Sequence, residues 1–161
     1  MKLLPAVLLC LLPLQVSAVQ AADAAPPSPL LGRWALQIST LPMPEAQRPR
    51  QVTLEFSQAS GTAWHSHAAI VLHDGKAMRS DALLTLDGTP VPLEGTYGAN
   101  LVAATLPAPN TLVMQLVDHG TPASTRIYTV AADHATMTET KAFFSHDGQP
   151  VLQTNTFKRL P

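Results

Sequence analysis

Residues 62–86 read TAWHSHAAIVLHDGKAMRSDALLTL, and this stretch decides the fold. Two strand-like arms that mix apolar and polar residues flank the triplet His73-Asp74-Gly75. A tight Asp/Gly turn between two such arms is typical of an antiparallel hairpin. Similar turns occur at 87–88, 118–120 and 146–148. Repeated hairpin signals of this kind predict a small antiparallel sheet or barrel.

The register of the 62–86 hairpin depends on the length of its turn. A two-residue loop would pair His73 with Lys76, whereas a three-residue loop with Gly75 in the left-handed conformation pairs Leu72 with Lys76. We prefer the second register because it separates apolar from charged residues. Small residues then occupy the middle of the inward face, which predicts unfilled volume for a ligand. That inward face consists of Trp64, Ser66, Ala68, Ile70, Met78, Ser80, Ala82 and Leu84.

The last hairpin, around His146-Asp147-Gly148, allows two registers. A three-residue loop directs Glu139 and Lys141 inward, whereas a two-residue loop directs the opposite face inward and leaves both charges in water. Burying a charge costs several kcal/mol unless it is paired, so an inward Glu139 beside Lys141 would indicate a polar pocket with a function. The sequence leaves both registers open.

Apolar and polar residues also alternate at 34–38, 52–56 and 112–116. We count about ten strands in about 130 residues and find no pattern typical of a long helix. Short connections make neighbours in sequence neighbours in space. The predicted fold class is therefore all-β, an up-and-down antiparallel β-barrel of about 8 to 10 strands.

The N-terminus has the pattern of a secretory signal peptide over residues 1–22. Lys2 precedes an apolar run that is too short to span a membrane, and small residues follow it. Cleavage is expected after Ala18, Ala21 or Ala22. A Pro-rich lead-in follows at 23–30, and the barrel domain is predicted over 31–161. The expected location is the periplasm or the secreted fraction.

Composition excludes several classes of function. The single cysteine, Cys10, lies within the signal peptide, so the exported chain would have neither disulfides nor thiolate sites. Ten basic residues face eleven acidic ones, with a formal net charge of −1. Since no basic run exists, neither nucleic acid nor an anionic membrane is an expected partner. We expect no cofactor.

The ends of the predicted barrel resemble those of a known superfamily. Gly32 and Trp34 lie in an opening G-x-W motif, and Arg159, or less well Lys158, ends the last strand. In this the chain resembles the calycin superfamily of lipocalin-like barrels, and within it small exported bacterial barrels of unassigned role. The resemblance implies that Trp34 packs across the barrel floor under the closing basic residue. It also implies binding of a small apolar or amphipathic molecule.

Six residues are candidates for contact with such a ligand. They are Trp64, Ser66, Met78, Ser80, Met114 and Glu139. We expect no metal site, because His65 and His67 face outward in the preferred register and no carboxylate is predicted across the strand from them. We also expect no catalytic residue, since a Gly-x-Ser-x-Gly elbow and phosphate-binding loops are absent.

Three functional hypotheses follow. The main one is an exported, non-enzymatic binding protein that holds a small apolar or amphipathic ligand in the barrel. The alternative is a filled barrel that serves as a structural or protein-interaction module, with Phe143, Phe144 and Phe157 covering the small interior residues. A less favoured hypothesis is a hydrolase or isomerase that uses Glu139, which would require this residue to lie in a cleft. The sequence does not indicate an oligomeric state.

Overall fold

The computed structural model describes residues 26–161. The predicted signal peptide and the first residues of the lead-in lie outside this range. The described chain forms a nearly closed, all-β antiparallel barrel. No helix among these residues is long and apolar enough to cross a membrane.

The barrel has eleven strands, one more than the upper limit of the predicted range. The extra count comes from β5 and β6, two residues each, in a proline-containing segment whose strand pattern is weak in the sequence. Pro92 lacks an amide hydrogen and so cannot extend a ladder on both sides. The strands are β1 Gly32–Leu36, β2 Gln51–Gln58, β3 Trp64–Val71, β4 Ala77–Leu84, β5 Val91–Pro92, β6 Glu94–Gly95, β7 Leu101–Ala108, β8 Thr111–Asp118, β9 Thr121–Val130, β10 Thr136–Phe144 and β11 Pro150–Arg159.

The strand order confirms the up-and-down meander. Strands β1 to β4 and strands β7 to β11 are each neighbours in sequence and in space, and β11 pairs with β1. The gap between β4 and β7 is bordered by the short strands, since β6 pairs with β4 and β5 pairs with β7. A further bridge links Asp87 to Thr105. The segment 85–95 therefore fills most of the gap between β4 and β7, but among the described strands no ladder pairs β5 with β6.

The hairpin formed by β3 and β4 has the preferred register. Ile70 lies opposite Met78, and Trp64 lies opposite Leu84. The Leu72 amide donates to the Lys76 carbonyl at 2.9 Å, and Gly75 has a φ of +88°, as the three-residue loop requires. This prediction is confirmed.

The hairpin formed by β10 and β11 also has a three-residue loop. The Ser145 amide donates to the Gln149 carbonyl at 2.9 Å, and Glu139 lies opposite Asn155. Glu139 is 3% exposed. Of the two registers that the sequence leaves open, the structure has the one that buries the carboxylate.

One end of the barrel, the floor end, is closed by Trp34. The indole is fully buried, its Nε1 donates to the Leu30 carbonyl at 2.9 Å, and the Arg159 guanidinium carbon lies 4.1 Å from the ring centroid. Gly32 has a φ of +122°, and a Cβ there would lie 2.6 Å from Arg159 Nη1. Leu30 is itself fully buried, so the lead-in reaches the core at its last residue.

The opposite end, the loop end, is covered by the connection 37–50 between β1 and β2. It contains two short 3-10 helices, Ile38–Thr40 and Glu45–Gln47. Leu41 is buried, and Arg50 Nε donates to the His73 carbonyl at 3.0 Å. Because successive strands are antiparallel, the turns at 73–75, 119–120 and 146–148 lie at this same end.

Asp87 lies near the start of the segment 85–95, between β4 and β7. Thr85 Oγ1 donates to Asp87 Oδ1 at 2.6 Å, and the Thr89 amide donates to the same oxygen at 2.9 Å. These hydrogen bonds favour the charged form and lower the pKa of Asp87 to about 2.

The substitution Asp87→Asn is expected to change how Tm depends on pH in acidic solution. A carboxyl group whose pKa is lower in the folded chain stabilises it above about pH 4, and this contribution disappears as the pH falls toward about 2. Thermal unfolding followed between pH 6 and pH 2 should therefore show a smaller loss of Tm for the variant than for the wild type. Parallel Tm curves for the two proteins would contradict this role of Asp87.

Candidate functional site

A cavity of about 240 Å³ lies inside the barrel. Residues from β1, β2, β3, β4, β8, β9, β10 and β11 line it, and the connection 37–50 contributes Leu41, Met43 and Pro49. Ligand pockets usually begin at about 300 Å³. The volume of this cavity lies below that range, so the cavity suits only a small molecule.

One side of the cavity is apolar. We call it the apolar wall, and it consists of Val52, Leu54, Phe56, Ala68 and Ile70. These residues come from β2 and β3, where alternate side chains of adjacent strands face the same side. The ring centroids of Phe56 and Tyr128 lie 5.7 Å apart in an edge-to-face arrangement, which joins this wall to the strands across the interior.

The other side is polar. We call it the polar wall, and it consists of Arg126, Tyr128, Glu139, Lys141, Gln153 and Asn155. These residues form two rows across β9, β10 and β11. One row pairs Glu139 with Tyr128 and Asn155, and the next row, nearer the loop end, pairs Lys141 with Arg126 and Gln153. Three sequence segments thus supply one continuous surface.

Glu139 is the centre of the polar wall. Its Oε1 accepts hydrogen bonds from Tyr128 Oη at 2.9 Å and Arg126 Nη1 at 3.2 Å, and its Oε2 accepts one from Asn155 Nδ2 at 2.7 Å. A buried carboxylate is tolerated when it is paired and hydrogen-bonded in this way. Gln153 Nε2 donates in turn to Asn155 Oδ1 at 3.0 Å, which fixes the amide.

The guanidinium group of Arg126 contacts both Glu139 and Tyr97. Besides its ion pair with Glu139, Arg126 Nη2 donates to Tyr97 Oη at 2.6 Å, and its guanidinium lies 5.2 Å from the Tyr97 ring centroid. Burial alone would lower the pKa of Arg126, but the neighbouring Tyr128, Tyr97 and Glu139 raise it above its ordinary value. Burial, followed by the charge of Glu139, raises the pKa of the Tyr128 hydroxyl, so this group remains a donor.

Lys141 has a different environment. Among the hydrogen bonds and ion pairs of residues 26–161, none involves its ammonium group. Its Nζ lies 4.4 Å from the centroid of the Phe143 ring, a cation–π distance. Lys141 is partly buried and lines the cavity, so its charge is available to a bound molecule.

The cavity brings together four of the six residues that the sequence suggests for ligand contact. Ser66, Ser80, Met114 and Glu139 line it. Trp64 and Met78 do not: Trp64 is buried in the core near the floor end, where it packs 6.4 Å from Phe56. Met78 belongs to the same inward face but lies opposite Ile70 at the end of the hairpin.

The sequence did not identify Arg126 or Asn155 as site residues, and it placed Lys141 in a pocket only in the register that buries Glu139. Their inward direction depends on the register of β10 with β11 and with β9. The sequence leaves the register of the last hairpin open. The alternation of Arg126 and Tyr128 around Ile127 is the one signal available, since both then share a face. Ile127 is 39% exposed on the opposite face, as this alternation requires.

The outward histidines require a correction. The expectation that no carboxylate lies across the strand from them is wrong, because Asp81 and Glu55 are the cross-strand partners of His67. His67 Nδ1 lies 2.6 Å from Asp81 Oδ1, and both side chains are about half exposed. Over residues 26–161, no group of three or more His, Cys, Asp or Glu residues is arranged to hold a metal ion.

No family model matches the chain, and no curated protein matches it. The geometry and charge of the cavity are therefore the basis for assigning a function.

Proposed function

We propose that this protein is an exported, non-enzymatic binding protein that holds a small amphipathic molecule in its barrel cavity. One observation carries the proposal: the apolar wall and the polar wall face the same cavity. A ligand with one apolar and one polar side would bury both against matching surfaces. Export rests on the signal-peptide pattern of residues 1–22.

The floor of the barrel supports membership of the calycin superfamily as part of this proposal. Arg159 stacks on Trp34, and Gly32 provides the space that the guanidinium occupies. This is the arrangement that the resemblance implies. Such barrels commonly enclose small ligands.

The chemistry of Glu139 favours binding over catalysis. Its two oxygens accept three hydrogen bonds, and an arginine is ion-paired with it. A general base needs reach to a substrate proton, and these donors hold three of the about four lone pairs of the carboxylate. We assign Glu139 the role of orienting Arg126, Tyr128 and Asn155 in the polar wall.

A filled barrel has less support. That alternative needs Phe143, Phe144 and Phe157 to cover the small interior residues. Phe157 is buried beside the cavity, but Phe144 is 69% exposed on the outside of β10. Space remains next to Ala68, Ser66 and Ser80, which line the cavity.

Filling this space is expected to weaken binding. Ala68→Leu adds three carbon atoms to the apolar wall, whereas Ala69→Leu adds them to the outward face of the same strand. With the neutral fluorophore N-phenyl-1-naphthylamine, we expect an emission shift with wild-type protein and about tenfold or more weaker binding to Ala68→Leu. Ala69→Leu should bind like the wild type.

The same titration can refute the proposal. If the wild-type protein neither shifts the fluorophore emission nor releases it on addition of apolar competitors, the cavity is not a binding site for such molecules. Equal loss of affinity in both leucine variants would locate the fluorophore elsewhere. Circular dichroism of the variants confirms that each retains the β-sheet spectrum.

A further inference from the structure

We propose that the ligand carries an acidic group, such as a carboxylate, which pairs with Lys141. This inference rests on the proposed function and specifies the chemistry of its ligand. It depends on the charges that line the cavity and on how they are partnered.

The charged residues that line the cavity, among those the structure describes, are Arg126, Glu139 and Lys141. Arg126 and Glu139 neutralise one another through an ion pair of 3.2 Å. Lys141 therefore adds one positive charge to the space. A charge that faces a partly desolvated cavity interacts more strongly with a counter-ion than it would in water.

The neighbours of Lys141 strengthen this preference for an anion. Its cross-strand partners are Arg126 on β9 and Gln153 on β11, so no carboxylate faces it in its own row. The nearest described contact for its charge is the Phe143 ring at 4.4 Å. A cation–π contact is worth less than a charge-assisted hydrogen bond to a carboxylate.

The position of Lys141 also orients the ligand. Lys141 lies two residues from Glu139 along β10, about 7 Å nearer the loop end. The acidic group would thus lie toward the connection 37–50, and the apolar part would lie nearer the floor end, against Leu54 and Phe56 on the apolar wall. Neutral amphiphiles of the same shape would miss the contact with Lys141, and cationic ones would be repelled.

Competition by chain-matched amphiphiles tests this preference. Octanoate, octan-1-ol and octylamine are titrated at neutral pH against N-phenyl-1-naphthylamine bound to the purified wild-type protein. We expect octanoate to bind about tenfold more tightly than octan-1-ol, with octylamine weakest. In Lys141→Gln, octanoate should lose its advantage over octan-1-ol.

Two further variants separate the role of Lys141 from a general charge effect. Lys141→Arg keeps the charge and should keep the preference for octanoate. Lys158→Gln removes an exposed lysine whose Nζ donates to Thr136 Oγ1 at 2.7 Å, and it should behave like the wild type.

The outcomes distinguish this inference from the proposed function. If wild-type protein binds octan-1-ol and octanoate equally, the acidic ligand is refuted while the cavity remains a binding site. A preference for octanoate that survives in Lys141→Gln overturns the assignment to Lys141. If the fluorophore itself does not bind, the proposed function fails. If it binds but octanoate does not displace it, the acidic ligand is refuted.

Discussion

The substitution Glu139→Ala is expected to lower the free energy of unfolding by about 3 to 5 kcal/mol. The carboxylate is 3% exposed and accepts hydrogen bonds from Tyr128, Arg126 and Asn155. Its removal leaves the guanidinium of Arg126 buried without its anionic partner, together with a hydroxyl and an amide that lose an acceptor. Urea unfolding monitored by tryptophan fluorescence gives the change directly.

The chain offers a matched control for this experiment. Arg33 and Glu55 form an ion pair of 3.8 Å on the barrel surface, with both side chains about half exposed. Glu55→Ala should cost less than about 1 kcal/mol, because exposed ion pairs are screened by water. The double variant Arg126→Ala/Glu139→Ala should lose less than the sum of the two single variants. Equal losses for Glu139→Ala and Glu55→Ala would show that the polar wall does not depend on its ion pair.

The substitution Trp34→Ala is expected to cost a similar amount, about 3 to 5 kcal/mol. Trp34 is fully buried at the floor end, and its replacement leaves a large cavity there. The variant also loses the hydrogen bond from Nε1 to the Leu30 carbonyl and the stacking of Arg159. Urea unfolding again measures the loss, with an expected midpoint well below that of the wild type.

Two companion variants make this test specific. Leu83→Ala truncates an apolar side chain that is 49% exposed and should change stability by about 0.5 kcal/mol or less. Trp34→Phe keeps most of the apolar volume but loses the indole hydrogen bond, so it should fall between the wild type and Trp34→Ala. A Trp34→Ala protein as stable as Leu83→Ala would contradict the role of the floor tryptophan.

The first hairpin was predictable because its turn and its arms agree. A three-residue loop with Gly75 places Ile70 opposite Met78, and the same register keeps charged residues off the inward face. This register also places Asp81 opposite His67, a contact that the turn length alone implies. The relation between turn type and pairing was sufficient here because the segment is local.

The last hairpin was not predictable on the same grounds. Phe143 and Phe144 lie on opposite faces of β10, so apolar content does not favour either register. What makes the buried Glu139 acceptable is Arg126, which lies 13 residues away on another strand. The sequence pattern shows that burying Glu139 would cost free energy. It does not show that Arg126 compensates this cost, because that contact depends on the pairing of β9 with β10.

The pairing of β1 with β11 has a consequence for how the chain folds. Trp34 lies opposite Arg159, and this contact spans nearly the whole described chain. The ring therefore cannot close until residues 150–159 have been synthesised, and until then β1 and β10 expose unpaired edges. Contacts so distant in sequence predict slow folding. An open, unclosed chain is also the state that passes through a membrane pore, so late closure agrees with the export that we propose.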